Sequence, residues 1–181
     1  MIIVMGLPGA GKSTVLKTAS EQGWEVINYG TKMLEIAKGL YSISDRDQIR
    51  KLKPIEQKRV QAKVAEELCA IKERKVILDT HCSINTPSGY LPGLPFSIIS
   101  KLPVEKLVLV VSPIEDILQR REKDTTRVRD EQSEESLCEH DQMNRSYLAA
   151  YSVLCAAPAI ILQNKNGEIE NTRSRFAKLL E

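Results

Sequence analysis

The chain has 181 residues, enough for one domain with a substantial core, and its 42% hydrophobic and 28% charged content is ordinary for a soluble globular protein. A net charge of +2 is too small to imply a nucleic-acid partner, and no apolar run approaches the length of a membrane-spanning helix. The opening apolar stretch is too short for a signal peptide, so the expected compartment is the cytoplasm.

Met1-Ile2-Ile3-Val4-Met5 reads as a first strand, and it runs directly into Gly6-Leu7-Pro8-Gly9-Ala10-Gly11-Lys12-Ser13-Thr14. This is the G-x-x-x-x-G-K-[ST] phosphate loop at the point where a strand hands over to a helix. Its glycines let the backbone curl so that successive N–H groups point at phosphate oxygens. The positive end of the helix predicted over 12–22 adds to the same site. Lys12 is placed to reach the β- and γ-phosphates, and the Ser13 hydroxyl to ligate Mg²⁺.

A second strand is predicted over 24–29 and a helix from near Thr31 to about Lys38. The polar, helix-prone region from Asp45 to Arg74 breaks near Pro54, which suits the first turn of a new helix. Val60, Val64, Leu68 and Ile71 give that helix an apolar stripe. Lys75 to Asp79 is a buried strand ending in a carboxylate. Between Pro87 and Pro95 stand three prolines and two glycines, so residues 80–95 are predicted to be a long loop without regular structure, of the kind that builds sites at strand ends. Leu107 to Val111 is a further buried strand, followed by a helix over 113–122, a charged segment 123–132 and a long helix ending near Cys155. Ala159 to Leu162 is the last strand, and Asn166-Gly167 turns into a helix that runs to Glu181. Alternating strands and helices predict an α/β fold with a parallel sheet wrapped by helices.

Several residues outside the loop are candidates for chemistry. Asp79 ends a strand that need only lie beside the first one to face Ser13, where it would hold Mg²⁺ directly or through water. Arg46 and Arg50 share a helix face, while Arg120, Arg121, Arg127, Arg129 and Arg145 gather in the last third. A phosphoryl donor and a phosphorylated acceptor bring several negative charges into one cleft, and arginine's planar fork suits them. Thr125 to Asp130 is placed to close over bound nucleotide and exclude water. His81 is a candidate contact to the acceptor, whereas His140 reads as a surface helix residue. The four cysteines, at 69, 82, 138 and 155, fit neither a zinc-site spacing nor a disulfide framework and read as reduced structural thiols.

The specific segments resemble the archaeal-type adenylate kinases, within the nucleoside monophosphate kinases of the P-loop NTPase superfamily. They are Asn28-Tyr29-Gly30-Thr31-Lys32-Met33, Asp45 to Leu52, Asp79-Thr80-His81, Thr86-Pro87-Ser88-Gly89-Tyr90-Leu91-Pro92-Gly93-Leu94-Pro95, Thr126 to Asp130, and Met143-Asn144-Arg145. The resemblance covers nearly the whole chain. It implies a single P-loop kinase domain over 1–181, three-layered, with a five-stranded parallel sheet, a helical monophosphate-binding region over 30–74 and a short lid over 122–132. It implies the Mg²⁺-dependent reaction ATP + AMP ⇌ 2 ADP, no membrane or nucleic-acid partner, and a homotrimer. In this sequence Gly6, Gly9, Ala10, Gly11, Lys12, Ser13 and Thr14 would hold the donor phosphates, with Arg120 or Arg121 also on the donor. Arg50 and Arg46 would hold the acceptor phosphate, and Thr31 with the 81–94 loop, including His81, Tyr90 and Gly93, would line the acceptor site. Arg127, helped by Arg129 and Arg145, would stabilise the transferring phosphoryl group beside Lys12, with Ser13 and Asp79 on the metal.

Two other readings share the phosphate loop. A kinase for a different nucleoside monophosphate would use the same arginines, because a phosphate oxygen looks alike on every base. A slow ATP-dependent switch or assembly factor would share Lys12 and Ser13 but need no second arginine-lined site.

Overall fold

Along the first strand, β1 (Ile2–Gly6), Ile3 and Met5 enter one hydrophobic core and Ile2 and Val4 enter another. Successive side chains of a strand point to opposite faces, so a strand buried on both sides demands helices above and below it. The computed structural model describes residues 1–71, 75–123 and 133–181, the side chains of residues 46, 47 and 50 excepted. It has that three-layer arrangement. Five parallel strands lie in the order β2 (Glu25–Asn28), β3 (Val76–Asp79), β1, β6 (Lys106–Val111), β7 (Ala159–Gln163).

On one face, Val15, Leu16 and Ala19 of α1 (Lys12–Glu21) and Phe176 of α8 (Ile169–Leu179) pack against Ile2, Val4, Val108 and Val110. On the other, α2 (Tyr29–Tyr41), α4 (Pro54–Cys69), α5 (Phe96–Ile99) and α7 (Glu134–Cys155) cover Ile3, Met5, Leu107 and Leu109. Val60, Val64 and Leu68, three residues of the predicted stripe on α4, are fully buried there, and Pro54 occupies the first turn of that helix as expected. A short α3 (Arg46–Lys51) precedes it, and α6 (Ile114–Lys123) follows β6.

Three expectations need correction. The second helix starts at Tyr29 and ends at Tyr41, not Thr31 and Lys38. Asn28 caps it by accepting from the Thr31 N–H, and the helix continues past Gly39 to a left-handed Ser42. The region 80–95 is not irregular throughout: β4 (Ser83–Thr86) and β5 (Gly89–Pro92) form an antiparallel hairpin. Its prolines sit where no ladder donor is required, Pro87 in the turn and Pro92 at the end of β5. His140 is buried on α7, not at the surface. The four cysteines are all free, Cys82 buried and Cys69 exposed.

Strand direction brings the carboxyl ends of β1, β3, β6 and β7 to one edge of the sheet. The phosphate loop and the segments beginning at Thr80, Ser112 and Asn164 therefore converge there.

Candidate active site

The phosphate loop folds as a tight curl between β1 and α1. Ala10 N–H bonds to Leu7 carbonyl at 3.1 Å, and Thr14 and Val15 N–H groups return to Gly11 carbonyl at 3.1 and 3.3 Å. Gly11 caps α1 at φ +84°, a left-handed conformation that L side chains rarely adopt. Ser13 and Thr14 are exposed at the start of the helix, while Ala10 is fully buried beneath the loop. The loop's carbonyls are engaged from outside: Arg121 Nε donates to Pro8 carbonyl at 2.9 Å, Arg120 Nη1 to Gly9 carbonyl at 3.2 Å, and Asn164 Nδ2 to Ala10 carbonyl at 2.8 Å.

Asp79 stands where the sequence places it. Its strand pairs with β1, Val4 opposite Asp79, and this brings the carboxylate beside the phosphate loop. Lys12 Nζ is bonded and ion-paired to Asp79 Oδ1. The second carboxylate oxygen accepts from Asn28 Nδ2 at 2.7 Å. Asn28 Oδ1 in turn accepts from the Thr31 N–H at 2.9 Å and from the Thr31 hydroxyl at 3.1 Å. A chain of polar contacts thus runs from the phosphate-loop lysine to the first turn of α2, the region assigned to the acceptor. Asn28 carries this link; a cap before α2 is a role the sequence can signal, but its bond to Asp79, 51 residues on, has no local signal.

The arginines separate. Arg120 spends Nε on Asn166 Oδ1 at 2.9 Å, Nη1 on Gly9 carbonyl and on Ser112 Oγ at 2.9 Å, and Nη2 on Asn164 carbonyl at 3.1 Å. It grips the wall of the loop with most of its donors. Arg145, exposed on α7, pairs with Asp141 at 2.7 Å. Arg145 lines a cleft of about 350 Å³ together with Ser112, Cys138, Gln142 and Lys165. Arg127 and Arg129, and residues 124–132 of the expected lid, lie outside the described residues, as do residues 72–74 and the side chains of Arg46 and Arg50.

On the side expected to take the acceptor, α7 holds the hairpin by its backbone. Asn144 Oδ1, buried, accepts from Ser83 N–H at 3.0 Å and Ser83 Oγ at 2.7 Å. His140 Nε2 lies 3.3 Å from Ser83 carbonyl, and its ring packs on Tyr90 with centroids 5.1 Å apart. Tyr147 donates to Tyr90 carbonyl at 2.8 Å, and Tyr151 donates to Cys82 carbonyl at 2.8 Å. Residues 140, 144, 147 and 151 are spaced by four, three and four, one face of a helix. Gly93 is buried, and a Cβ there would stand 1.9 Å from His81 carbonyl, so only glycine permits the hairpin to close against residues 81–82. His81 and Thr31 are exposed, and Tyr90 is half-buried. Burial pushes the Cys82 thiol up to about 12, with the charge of Asp141 adding to the effect, so it is protonated at neutral pH.

A family model described as an AAA domain matches residues 5–138. Adenylate kinases align along the whole chain. That of Methanothermobacter thermautotrophicus is 42% identical, covering 100% of this chain and 99% of that protein. The enzyme of Methanocaldococcus jannaschii is 38% identical over 100% and 98%, and that of Thermoplasma acidophilum 39% identical over 98% and 97%. Among solved structures, shikimate kinase from Bacteroides thetaiotaomicron superposes with a TM-score of 0.62 at 13% identity, over 99% of this chain and 97% of that one. Shikimate kinase from Acinetobacter baumannii gives 0.59 at 19% identity, over 99% and 91%. At such identities the two structures speak for the fold alone.

Proposed function

This chain belongs to the adenylate kinase family, and on that premise we infer that it is an ATP:AMP phosphotransferase that interconverts ATP + AMP and two ADP. The carrying observation is the phosphate loop with Lys12 beside the strand-end carboxylate of Asp79, in a chain that matches adenylate kinases from end to end.

In the reaction an oxygen of the AMP phosphate bonds to the γ-phosphorus of ATP, and the bond to the β,γ-bridging oxygen breaks to release ADP. The nucleophile is already an anion, so no general base is required and the protein's task is positioning and charge stabilisation. Residues Gly9 to Thr14 hold the donor phosphates, and Lys12 leaves Asp79 to meet the β- and γ-phosphates. Ser13 and Asp79 offer a hydroxyl and a carboxylate, the hard oxygen donors that Mg²⁺ takes alongside nucleotide phosphates. That ion, when bound, neutralises charge on the phosphate oxygens. Arg50 and Arg46 hold the AMP phosphate, with Thr31 and the hairpin carrying Tyr90 lining the rest of that site, and Gly93 and His81 closing it. Arg127, Arg129 and Arg145 stabilise the transferring group as the segment 122–132 closes over it. Arg120 and Arg121 serve the donor side, where both already hold the phosphate loop. Among the described residues no helix is long and apolar enough to cross a membrane. The reading places the enzyme in the cytoplasm and, by family, in a trimer.

Product stoichiometry tests the assignment. Following phosphorus resonances in a mixture of Mg·ATP and AMP, the reading expects two ADP to appear for each ATP lost, with no inorganic phosphate. Inorganic phosphate in step with ATP loss would make the protein a hydrolase instead.

A further inference from the structure

We propose that Asn164, in the turn after β7, is a positioning residue for the phosphoryl donor. Its side-chain amide holds the phosphate loop in the form that binds phosphate. The proposal rests on the kinase reading above and assigns a role to a residue far from the loop in sequence.

Asn164 is 3% exposed. Its Nδ2 donates to Ala10 carbonyl at 2.8 Å, and its own carbonyl accepts from Ser112 Oγ at 2.5 Å and from Arg120 Nη2 at 3.1 Å. The Asn164 N–H donates to Val111 carbonyl at 2.8 Å and extends the β6–β7 pairing to the residue itself. The amide is therefore fixed by the rigid end of the sheet, not by the loop it serves.

Ser112 Oγ also lies 3.1 Å from Ala10 carbonyl, but a hydroxyl has one proton, and its shorter contact is to Asn164 carbonyl. Asn164 Nδ2 is then the donor that remains for Ala10. The contact is tight on the other side too. A Cβ on Gly11 would fall 2.1 Å from Asn164 Nδ2, so the second glycine of the motif is needed for this amide as well as for the turn. Among the described residues the amide oxygen, Oδ1, is buried and has no partner. A buried amide with one end unsatisfied is costly, and an apolar side chain would avoid the cost, so the nitrogen's bond is the reason to have asparagine here.

The consequence for binding follows from peptide geometry. The carbonyl of residue 10 and the N–H of residue 11 belong to one rigid peptide plane and point in opposite directions. A donor that pins Ala10 carbonyl outward aims the Gly11 N–H at the phosphates. Arg121 on Pro8 carbonyl does the same for the Gly9 N–H, while Arg120 on Gly9 carbonyl braces the peptide whose Ala10 N–H turns back to Leu7 carbonyl. The loop is thereby organised before nucleotide arrives, so less ordering is left for the binding step.

The test is Asn164→Ala, with KM measured separately for ATP and AMP and with ATP binding measured by calorimetry without AMP. The proposal expects KM and Kd for ATP to rise about tenfold or more while KM for AMP changes less than about twofold. Asn164→Ser, which keeps a short donor, should fall between the two and serves if the alanine variant does not fold. A folded variant with unchanged ATP affinity, or with equal rises in both KM values, would overturn the proposal. Wild-type protein that bound ATP but made no ADP from AMP would refute the kinase reading instead, and the calorimetry would still decide the role of Asn164.

Discussion

At the level of single residues, the structure turns on how charges are held before nucleotide arrives. Lys12 and Asp79 neutralise each other at the mouth of the phosphate loop, each side chain mostly shielded from water. A bound polyphosphate offers Lys12 several negative oxygens in place of one carboxylate, so the ion pair is a resting partner that substrate replaces. Lys12→Ala should therefore lower kcat by about a thousandfold or more. The fold should survive, because Asp79 keeps its bond from Asn28 and sits at an open edge. Near-normal turnover in a folded Lys12→Ala variant would remove the enzymatic role given to this loop. Lys12, Ser13 and Asp79 were legible from sequence because the motif fixes their spacing and a strand end fixes the carboxylate. Asn28, Ser112 and Asn164 were not. Each acts on a partner at least 51 residues away, through a contact that exists only once the sheet has formed.

At the level of elements, α7 is the part that ties the regions together. It begins at Glu134, shortly after the segment assigned to the lid, and one of its faces grips the β4–β5 hairpin assigned to the acceptor. The grip is polar, made to the hairpin's backbone. In Asn144→Ala the Ser83 N–H and hydroxyl would lose their shared acceptor in a buried setting. A cost of about 2 kcal/mol or more is expected, since an unsatisfied buried group costs about 1–3 kcal/mol. Urea denaturation measures it, and a loss below about 0.5 kcal/mol would mean that water or a shifted side chain replaces the acceptor. The hairpin itself was hidden in the sequence by its prolines and glycines, which a local reading counts as breakers. Their positions decide the matter: a proline in a turn or at a strand end removes no ladder bond, and Gly89 at φ +110° suits the end of the turn. The α4 stripe was legible because its burial needs no partner beyond a flat sheet.

For the whole molecule, stability carries a pH signature from the interior. Burial holds the His140 imidazole below its ordinary pKa of 6.5; the contact with Ser83 carbonyl opposes this, Arg121 reinforces it, and Asp141 and Glu139 oppose it. The unfolded chain thus binds this proton more readily than the folded one. The stabilisation is complete above pH 6.5 and is lost as pH falls through the lower folded value. Melting curves should show the wild type losing more Tm than His140→Gln when the pH is lowered from about 7.5 to about 5. Parallel losses would place the acid sensitivity elsewhere. The three-layer plan was readable from sequence because three of the five sheet strands, β1, β3 and β6, carry apolar residues at nearly every position, and strands buried on both faces force helices onto both. β2, at the sheet edge and only partly buried, was placed mainly by its neighbours in the alternation. Base choice at the acceptor had no such signal, since the groups that grip phosphate are indifferent to the base.

The most direct test of the central claim is the initial rate of ADP formation from Mg·ATP with AMP, CMP, UMP, GMP or no acceptor. Fast turnover with AMP and little with the others is the predicted result. A slow rate that ignored every acceptor would contradict it and leave the phosphate loop to an ATP-dependent switch.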